Sequence, residues 1–245
     1  MKAKLLLVPG LAGFLMGCTL TGTDSLNKVA PAPASIPENK PITKKEENLP
    51  IKAPKAATCI AFADFRAQEA ASKDRPALQR QQLQEDARKA YQQALEIERD
   101  NLQALVGLAR LYVQMEDFQH AQSTYELAAK MHPKKGGVWF ELGMLHARKK
   151  DWKQSLEYLT KAVELEPENR QFLNNYGFTL ARSGNFEESL KVFLRTNEPS
   201  KARYQVARMM NHVGRNDEAR ELLTKALAEK PDYPEAIELL STLGK

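Results

Sequence analysis

The sequence predicts an all-α solenoid of stacked antiparallel helix pairs, and three observations carry that prediction. A stretch of the chain can be laid on itself at a step of about 34 residues, small residues recur at two fixed slots in each copy, and a proline closes most copies. From 136 to 170 the slots hold Trp139, Leu142, Gly143, Ser155, Leu159, Ala162 and Pro167. One step earlier they hold Leu105, Leu108, Ala109, Ala121, Tyr125, Ala128 and Pro133. One step later they hold Leu173, Tyr176, Gly177, Ser189, Phe193 and Thr196.

The order of these residue types has a physical reason. Each unit is a pair of helices, A and B, which cross closely only where side chains are small. Ala109, Gly143, Gly177 and Ala207 supply that crossing on helix A, and Ala121, Ser155, Ser189 and Ala219 answer from helix B. The large residues fill holes in the next pair, so one unit alone cannot bury its apolar face. Between A and B the sequence predicts short turns at Glu116-Asp117-Phe118, Lys150-Asp151-Trp152, Gly184-Asn185-Phe186 and Gly214-Arg215-Asn216. Asp117, Asp151 and Asn185 are expected to cap the B helices by accepting orphan backbone N–H groups. Gly184 and Gly214 suit the left-handed residue that ends a helix, and Pro133, Pro167 and Pro231 stop the B helices. Apolar, small, small, aromatic, small and proline in that order resembles the tetratricopeptide repeat (TPR), which implies a right-handed superhelix with a concave face lined by the A helices.

The repeats fall at 102–135, 136–169, 170–199 and 200–233. Pro231 sets the frame of the last one, with Val206, Ala207, Ala219, Leu223 and Ala226 in the expected slots. The third repeat is therefore four residues short, the loss falling at Thr196-Asn197-Glu198-Pro199, where it is expected to be a trim in a solvent loop.

At 245 residues and 42% hydrophobic, the chain can bury a sizeable core. Its beginning is different. Lys2 and Lys4 precede an apolar run from Leu5 to Met16, too short for a membrane span and flanked as a signal peptide over 1–17 would be. Leu15-Met16-Gly17-Cys18 resembles a bacterial lipobox, which implies cleavage before Cys18 and lipidation of that cysteine. Thr19, where an aspartate would imply inner-membrane retention, implies the periplasmic face of the outer membrane. From 18 to 57 Pro31, Pro33, Pro37, Pro41, Pro50 and Pro54 alternate with Lys and Glu. Such a segment cannot bury enough surface to fold and is expected to be a disordered tether, roughly 35 Å across as a coil and up to about 120 Å when extended.

The remaining cysteine, Cys59, sits among Ile60, Ala61 and Phe62 and is expected to be a buried packing residue. Residues 58–101 predict a degenerate capping pair: a short helix over 59–73 and a longer one from Pro76 to about Arg99, with Ala87, Tyr91 and Ala94 at the spacing of a B helix. At the other end, 234–245 predicts a capping helix that covers the last pair through Ile237, Leu240 and Leu243.

The chemistry-bearing residues do not assemble into a catalytic or metal motif. His120, His132, His146 and His212 lack metal-ligand spacing, and His146 occupies a slot where a packing aromatic is expected. Gly136-Gly137 is expected to be an inter-repeat turn. The chain is thus expected to be no enzyme and to take no cofactor, metal or small-molecule substrate. A net charge of +5, spread without a Lys/Arg block, does not support nucleic-acid binding.

Carried over from the TPR pattern, the groove lining is Val106, Arg110 and Gln114, then Phe140, Glu141, Met144 and Arg148. It continues with Asn174, Asn175, Phe178 and Arg182, and ends with Tyr204, Gln205, Arg208 and His212. The Lys and Asn slots of the chaperone-tail carboxylate clamp are not matched, Asn175 alone resembling it. Phe140, Met144, Phe178 and Tyr204 are expected to be uncovered, and Arg148, Arg182 and Arg208 to flank them, a lining suited to protein partners: peptide segments with apolar and acidic residues. Asn174-Asn175-Tyr176-Gly177-Phe178-Thr179-Leu180-Ala181 resembles the asparagine-rich helix of type IV pilotins and TadD-like lipoproteins. That resemblance implies a lipid-anchored envelope scaffold for pilus or secretion assembly. Outer-membrane protein assembly and a periplasmic chaperone or cell-wall adaptor are the alternatives.

Overall fold

The computed structural model describes residues 54–243. The predicted signal peptide, Cys18 and most of the proline-rich segment lie outside the described residues. Within them the chain forms eleven helices and no strand. In order they are α1 (Ala56–Ala70), α2 (Ala77–Ile97), α3 (Leu102–Gln114), α4 (Phe118–Met131), α5 (Gly136–Arg148), α6 (Trp152–Leu165), α7 (Arg170–Arg182), α8 (Phe186–Thr196), α9 (Pro199–His212), α10 (Asn216–Glu229) and α11 (Pro234–Leu243). Each odd-numbered helix from α1 to α9 packs most extensively on the even-numbered helix after it, and each pair on the next. This is the solenoid the period predicts.

The crossings work as the small residues require. Ala109, Ala121, Ala207 and Ala219 are wholly buried. At the two glycine crossings the backbones come close enough for a side-chain link. Ser155 Oγ donates to the Gly143 carbonyl and Ser189 Oγ to the Gly177 carbonyl, each at 2.8 Å. A Cβ on Gly143 would lie 2.6 Å from Leu159 Cγ, and one on Gly177 2.9 Å from the Phe193 ring.

The turns depart from expectation in instructive ways. Asp117 and Asp151 cap α4 and α6 by accepting from the His120 and Gln154 N–H groups. Asn185 stands at the same place before α8 but does not cap it, because its amide is turned to donate to Ser183 Oγ at 2.9 Å. Asn101 and Asn169 cap the A helices α3 and α7 instead. The left-handed slot holds Gly184 and Gly214 at φ 89° and 80°, but also Glu116 and Lys150 at φ 62° and 60°. Gly136 is no turn. It is the buried first residue of α5, where a Cβ would meet the Glu166 carboxylate at 2.7 Å.

The shortened repeat is not a trim in solvent either. α8 has 11 residues where α4, α6 and α10 have 14. Thr196 and Ser200 are buried, Asn174 Oδ1 accepts from Thr196 Oγ1 at 2.9 Å, and the Arg170 guanidinium donates to the Thr196 carbonyl. The orphan carbonyl at the end of α8 is thus satisfied from the preceding A helix.

At the amino end, Pro76 is the cap of α2 rather than its first residue, and α1 starts at Ala56 and ends at Ala70, three residues ahead of the predicted span at each end. α1 takes the place of an A helix, with Cys59, Ile60 and Ala63 buried against Ala87, Ala90, Tyr91 and Ala94. Tyr91 Oη donates to Asp64 Oδ1 at 2.5 Å, and burial together with that carboxylate pushes its phenol above the ordinary range. At the carboxyl end α11 buries Ala236, while Leu239, Leu240 and Leu243 pack partly on the last pair; Ile237 points outward, 49% exposed.

Candidate functional site: the inner face of the A helices

Three cavities run along the A helices α3, α5, α7 and α9. The first, of about 560 Å3, lies between α3, α5 and α7 and is lined by Arg110, Gln114, Phe140, Glu141, Met144, Arg148 and Asn175 among others. A narrow one of about 210 Å3 follows between Met144, Trp152, Phe178 and Arg182. The last, of about 690 Å3, reaches α9 and is bordered by Arg148, Lys150, Arg182, Arg208 and His212. Neighbouring cavities share Met144 and Asn175 at one junction, and Ala147, Trp152 and Arg182 at the next. They form one channel.

Its first end is electrostatically closed. Arg110 reaches from α3 to Glu141 on α5, its Nε at 2.9 Å and its Nη2 on the same carboxylate oxygen. Tyr125 Oη donates to the other oxygen of Glu141 at 3.3 Å. Burial, and then the Glu141 charge, raises the Tyr125 phenol well above its ordinary range, so it stays a donor. Gln114 joins α1 to this rim through a bond to the Ala67 carbonyl at 3.4 Å.

The other end is open. Among the described residues no carboxylate lies within ion-pair distance of Arg148, Lys150, Arg182 or Arg208, whereas Arg88, Arg203 and Arg215 are each paired. His146 lies outside this lining. It is buried beneath Tyr158, and its Nδ1 stands 3.0 Å from Asp151 Oδ2. That contact and the Gln154 N–H hold the Asp151 carboxyl below the usual range.

Of the residues the pattern assigns to the groove, Arg110, Phe140, Met144, Arg148, Asn175, Phe178, Arg182 and Arg208 line the channel. Asn174 does not: its side chain is committed to Thr196 at the end of α8. Tyr204 lines none of the three cavities and packs instead on Tyr233, ring centroids 5.2 Å apart. The expectation of uncovered aromatics also fails at Phe140, which is only 7% exposed and stacks on Phe172 at 4.7 Å. Phe178 is half-buried, edge-on to Phe193 at 4.9 Å. The apolar floor is therefore a set of ring edges and the Met144 side chain, not whole exposed rings.

Lys150, Trp152, Met209 and Val213 line the last cavity, although the repeat pattern assigns none of the four to the groove and places Lys150 and Trp152 only in a turn. Lys150 had a signal: it fills the slot that repeats three and four give to Gly184 and Gly214. Among the described residues no group of three or more His, Cys, Asp or Glu is placed to hold a metal, and no helix is long and apolar enough to cross a membrane.

Paired helices that cross at small residues, stacked so that one helix of each pair lines a channel, define a helical-repeat interaction scaffold. The repeats are tetratricopeptide repeats. Family models described as tetratricopeptide repeat match residues 77–142 and 136–169. The crystal structure of YrrB, described as a TPR protein with an unusual peptide-binding site, superposes with a TM-score of 0.54 at 25% identity, covering 75% of this chain and 91% of that one. The MamA protein gives a TM-score of 0.56 at 14% identity over 74% of this chain and 94% of its own, which bears on the fold alone. Superkiller protein 3 of Saccharomyces cerevisiae is 24% identical over 142 residues, and the chain spans 10% of that protein's length.

Proposed function

We propose that this chain is a non-enzymatic, lipid-anchored scaffold of the bacterial envelope, which holds peptide segments of partner proteins in the channel along its A helices. The continuous channel from Arg110 to Arg208 carries the reading. Its amides, its ring edges and its cations suit a chain with apolar and acidic residues, not a compact small molecule, because the walls are spread over four helices. The peptide-binding site ascribed to YrrB supports the same use of the fold. The anchor rests on the Leu15–Cys18 sequence, and a role in pilus or secretion assembly on the resemblance of the 174–181 stretch. Outer-membrane protein assembly is the second reading.

A thiol-reactive benzophenone on Met144→Cys should crosslink a partner, and mass spectrometry should map the adduct to one segment of it. The same label on Glu157→Cys, exposed on α6, should not; capture from that position alone would move the binding face to the B helices. Cys18→Ser should release the protein from the membrane fraction, and unmodified Cys18 in a membrane-bound mature chain would remove the anchor from the reading.

A further inference from the structure

We propose that the α7–α9 end of the channel is a carboxylate-reading subsite, which takes the Asp and Glu side chains of a bound peptide while the α3–α5 end takes its apolar part without reading charge. This rests on the peptide-binding reading above. It adds the order in which the channel sorts its ligand.

The two ends differ in how their arginines are used. Arg110 has its carboxylate already, in Glu141, so a ligand carboxylate there would have to displace an existing pair. Arg148 and Arg182 are the last residues of α5 and α7, one repeat apart, and Arg208 joins them from α9. The lining they share with Lys150 and His212 contains no Asp or Glu. Like charges gathered without a counterion repel one another, and a ligand carboxylate relieves that repulsion while gaining charge-assisted hydrogen bonds. The C-terminal ends of α5 and α7 favour a cation by themselves, which accounts for Arg148 and Arg182 singly.

That account does not reach Lys150, which lies past the end of its helix with φ 60°. Left-handed backbone strains any residue with a Cβ; the matching positions one and two repeats further along are Gly184 and Gly214, and the one before it is Glu116 at φ 62°, so a cation stands in this slot only beside the cavity. A strained lysine at the rim of an acid-free cationic cavity puts a fourth charge where glycine would fold more easily.

The neighbouring surface makes the ligand a peptide. Met144 and Phe178 lead into the cavity through its narrow neighbour, and Trp152, Met209 and Val213 wall it, so the unpaired cations gather at the far side of an apolar track, Arg148 alone bordering the first cavity as well. A nucleic-acid strand would need cations along the whole track.

The test uses the full-length chain in mild detergent. The probe is a labelled peptide of about eight residues, about 26 Å long when extended at about 3.3 Å each. One half is leucine and phenylalanine, the other glutamate. Its glutamine counterpart should bind about tenfold more weakly, the loss of charge-assisted contacts to at least one arginine. Arg182→Gln should weaken the glutamate peptide several-fold and leave the glutamine peptide unchanged. Lys150→Gly should raise the melting temperature yet weaken the glutamate peptide, a combination that a structural role for Lys150 cannot produce. Equal affinity for the two peptides, absent binding of both, or an unchanged affinity in Lys150→Gly overturns the subsite. If both peptides bind equally and Met144→Glu abolishes both, the subsite fails while the groove reading stands. If Met144→Glu affects neither, the groove reading fails with it. Tighter binding of a uridine oligonucleotide than of the glutamate peptide would also overturn it.

Discussion

The middle two TPR units and the outer two use the same slots for different crossings. In the pairs α3–α4 and α9–α10 alanine faces alanine: Ala109 with Ala121, Ala207 with Ala219. In α5–α6 and α7–α8 glycine faces serine, and the serine hydroxyl bonds the glycine carbonyl of the other helix. An alanine pair keeps the helices apart by two methyl groups and offers no polar contact. Glycine removes one of those groups, so the hydroxyl can reach a carbonyl that stays available beside its intrahelical bond. The difference shows that the small residues of the repeat are not interchangeable. Each Gly–Ser pair is a matched set, and the channel's narrow middle is built on two of them.

The largest expected effect comes from filling a matched set. Gly143→Leu places a side chain where a Cβ alone would already lie 2.6 Å from Leu159 Cγ and 3.2 Å from the Leu159 backbone nitrogen. The backbone contact cannot be relieved by a rotamer change, so overpacking should cost about 1–3 kcal/mol, read by denaturant unfolding. Because repeats contact only their neighbours, the loss should also broaden the transition from the middle of the array. An unfolding midpoint equal to the parent's would break the comparison at its root.

A smaller effect should follow from the hydroxyl. Ser155→Ala removes the 2.8 Å bond to Gly143 and should cost about 1 kcal/mol. The reciprocal change, Ala121→Ser, puts a hydroxyl into a crossing with no glycine opposite it. If it finds no partner there the cost is about 1–3 kcal/mol, so the supposedly conservative exchange should be the worse of the two. Thermal unfolding of the two variants, side by side, decides it. A tolerated Ala121→Ser would mean that the alanine crossings are as close as the glycine ones.

How far the sequence was legible follows from what each residue depends on. The crossings, the helix pairs and the left-handed Gly184 and Gly214 were legible because they depend on type and spacing within one repeat. The site was legible as a face and less so as a surface. Arg148, Arg182 and Arg208 stand where the frame puts them, but the frame cannot say that Phe172 of the next repeat covers Phe140, or that Tyr233 engages Tyr204. Asn174 fails for a related reason. Its side chain is engaged by Thr196, the last residue of the short α8, which lies 22 residues further along. Asn185 shows the limit at short range: it has the right residue type for a cap, but Ser183 offers its amide a competing partner. At Gly136 the sequence suggests a turn, because the real constraint on it, the Glu166 carboxylate, comes from the end of the next helix.

The smallest effect sharpens the comparison by moving one glycine's position and nothing else. Gly137 lies in the first turn of α5, six residues before Gly143 on the same helix, and a Cβ there meets nothing within 4 Å. Glycine inside a helix lowers stability through the entropy it loses on folding, so Gly137→Ala should stabilise by a few tenths to about 1 kcal/mol. Gly143→Ala carries the same entropic gain, but its methyl group must push Leu159 aside. Its net effect should be destabilising, since the close backbone contact leaves no room to relax and Ser155 would lose its approach to the carbonyl. Two identical substitutions on one helix should therefore shift the melting temperature in opposite directions. Shifts of the same sign would mean that helix propensity, not the close crossing, decides which residue repeat two can hold at Gly143.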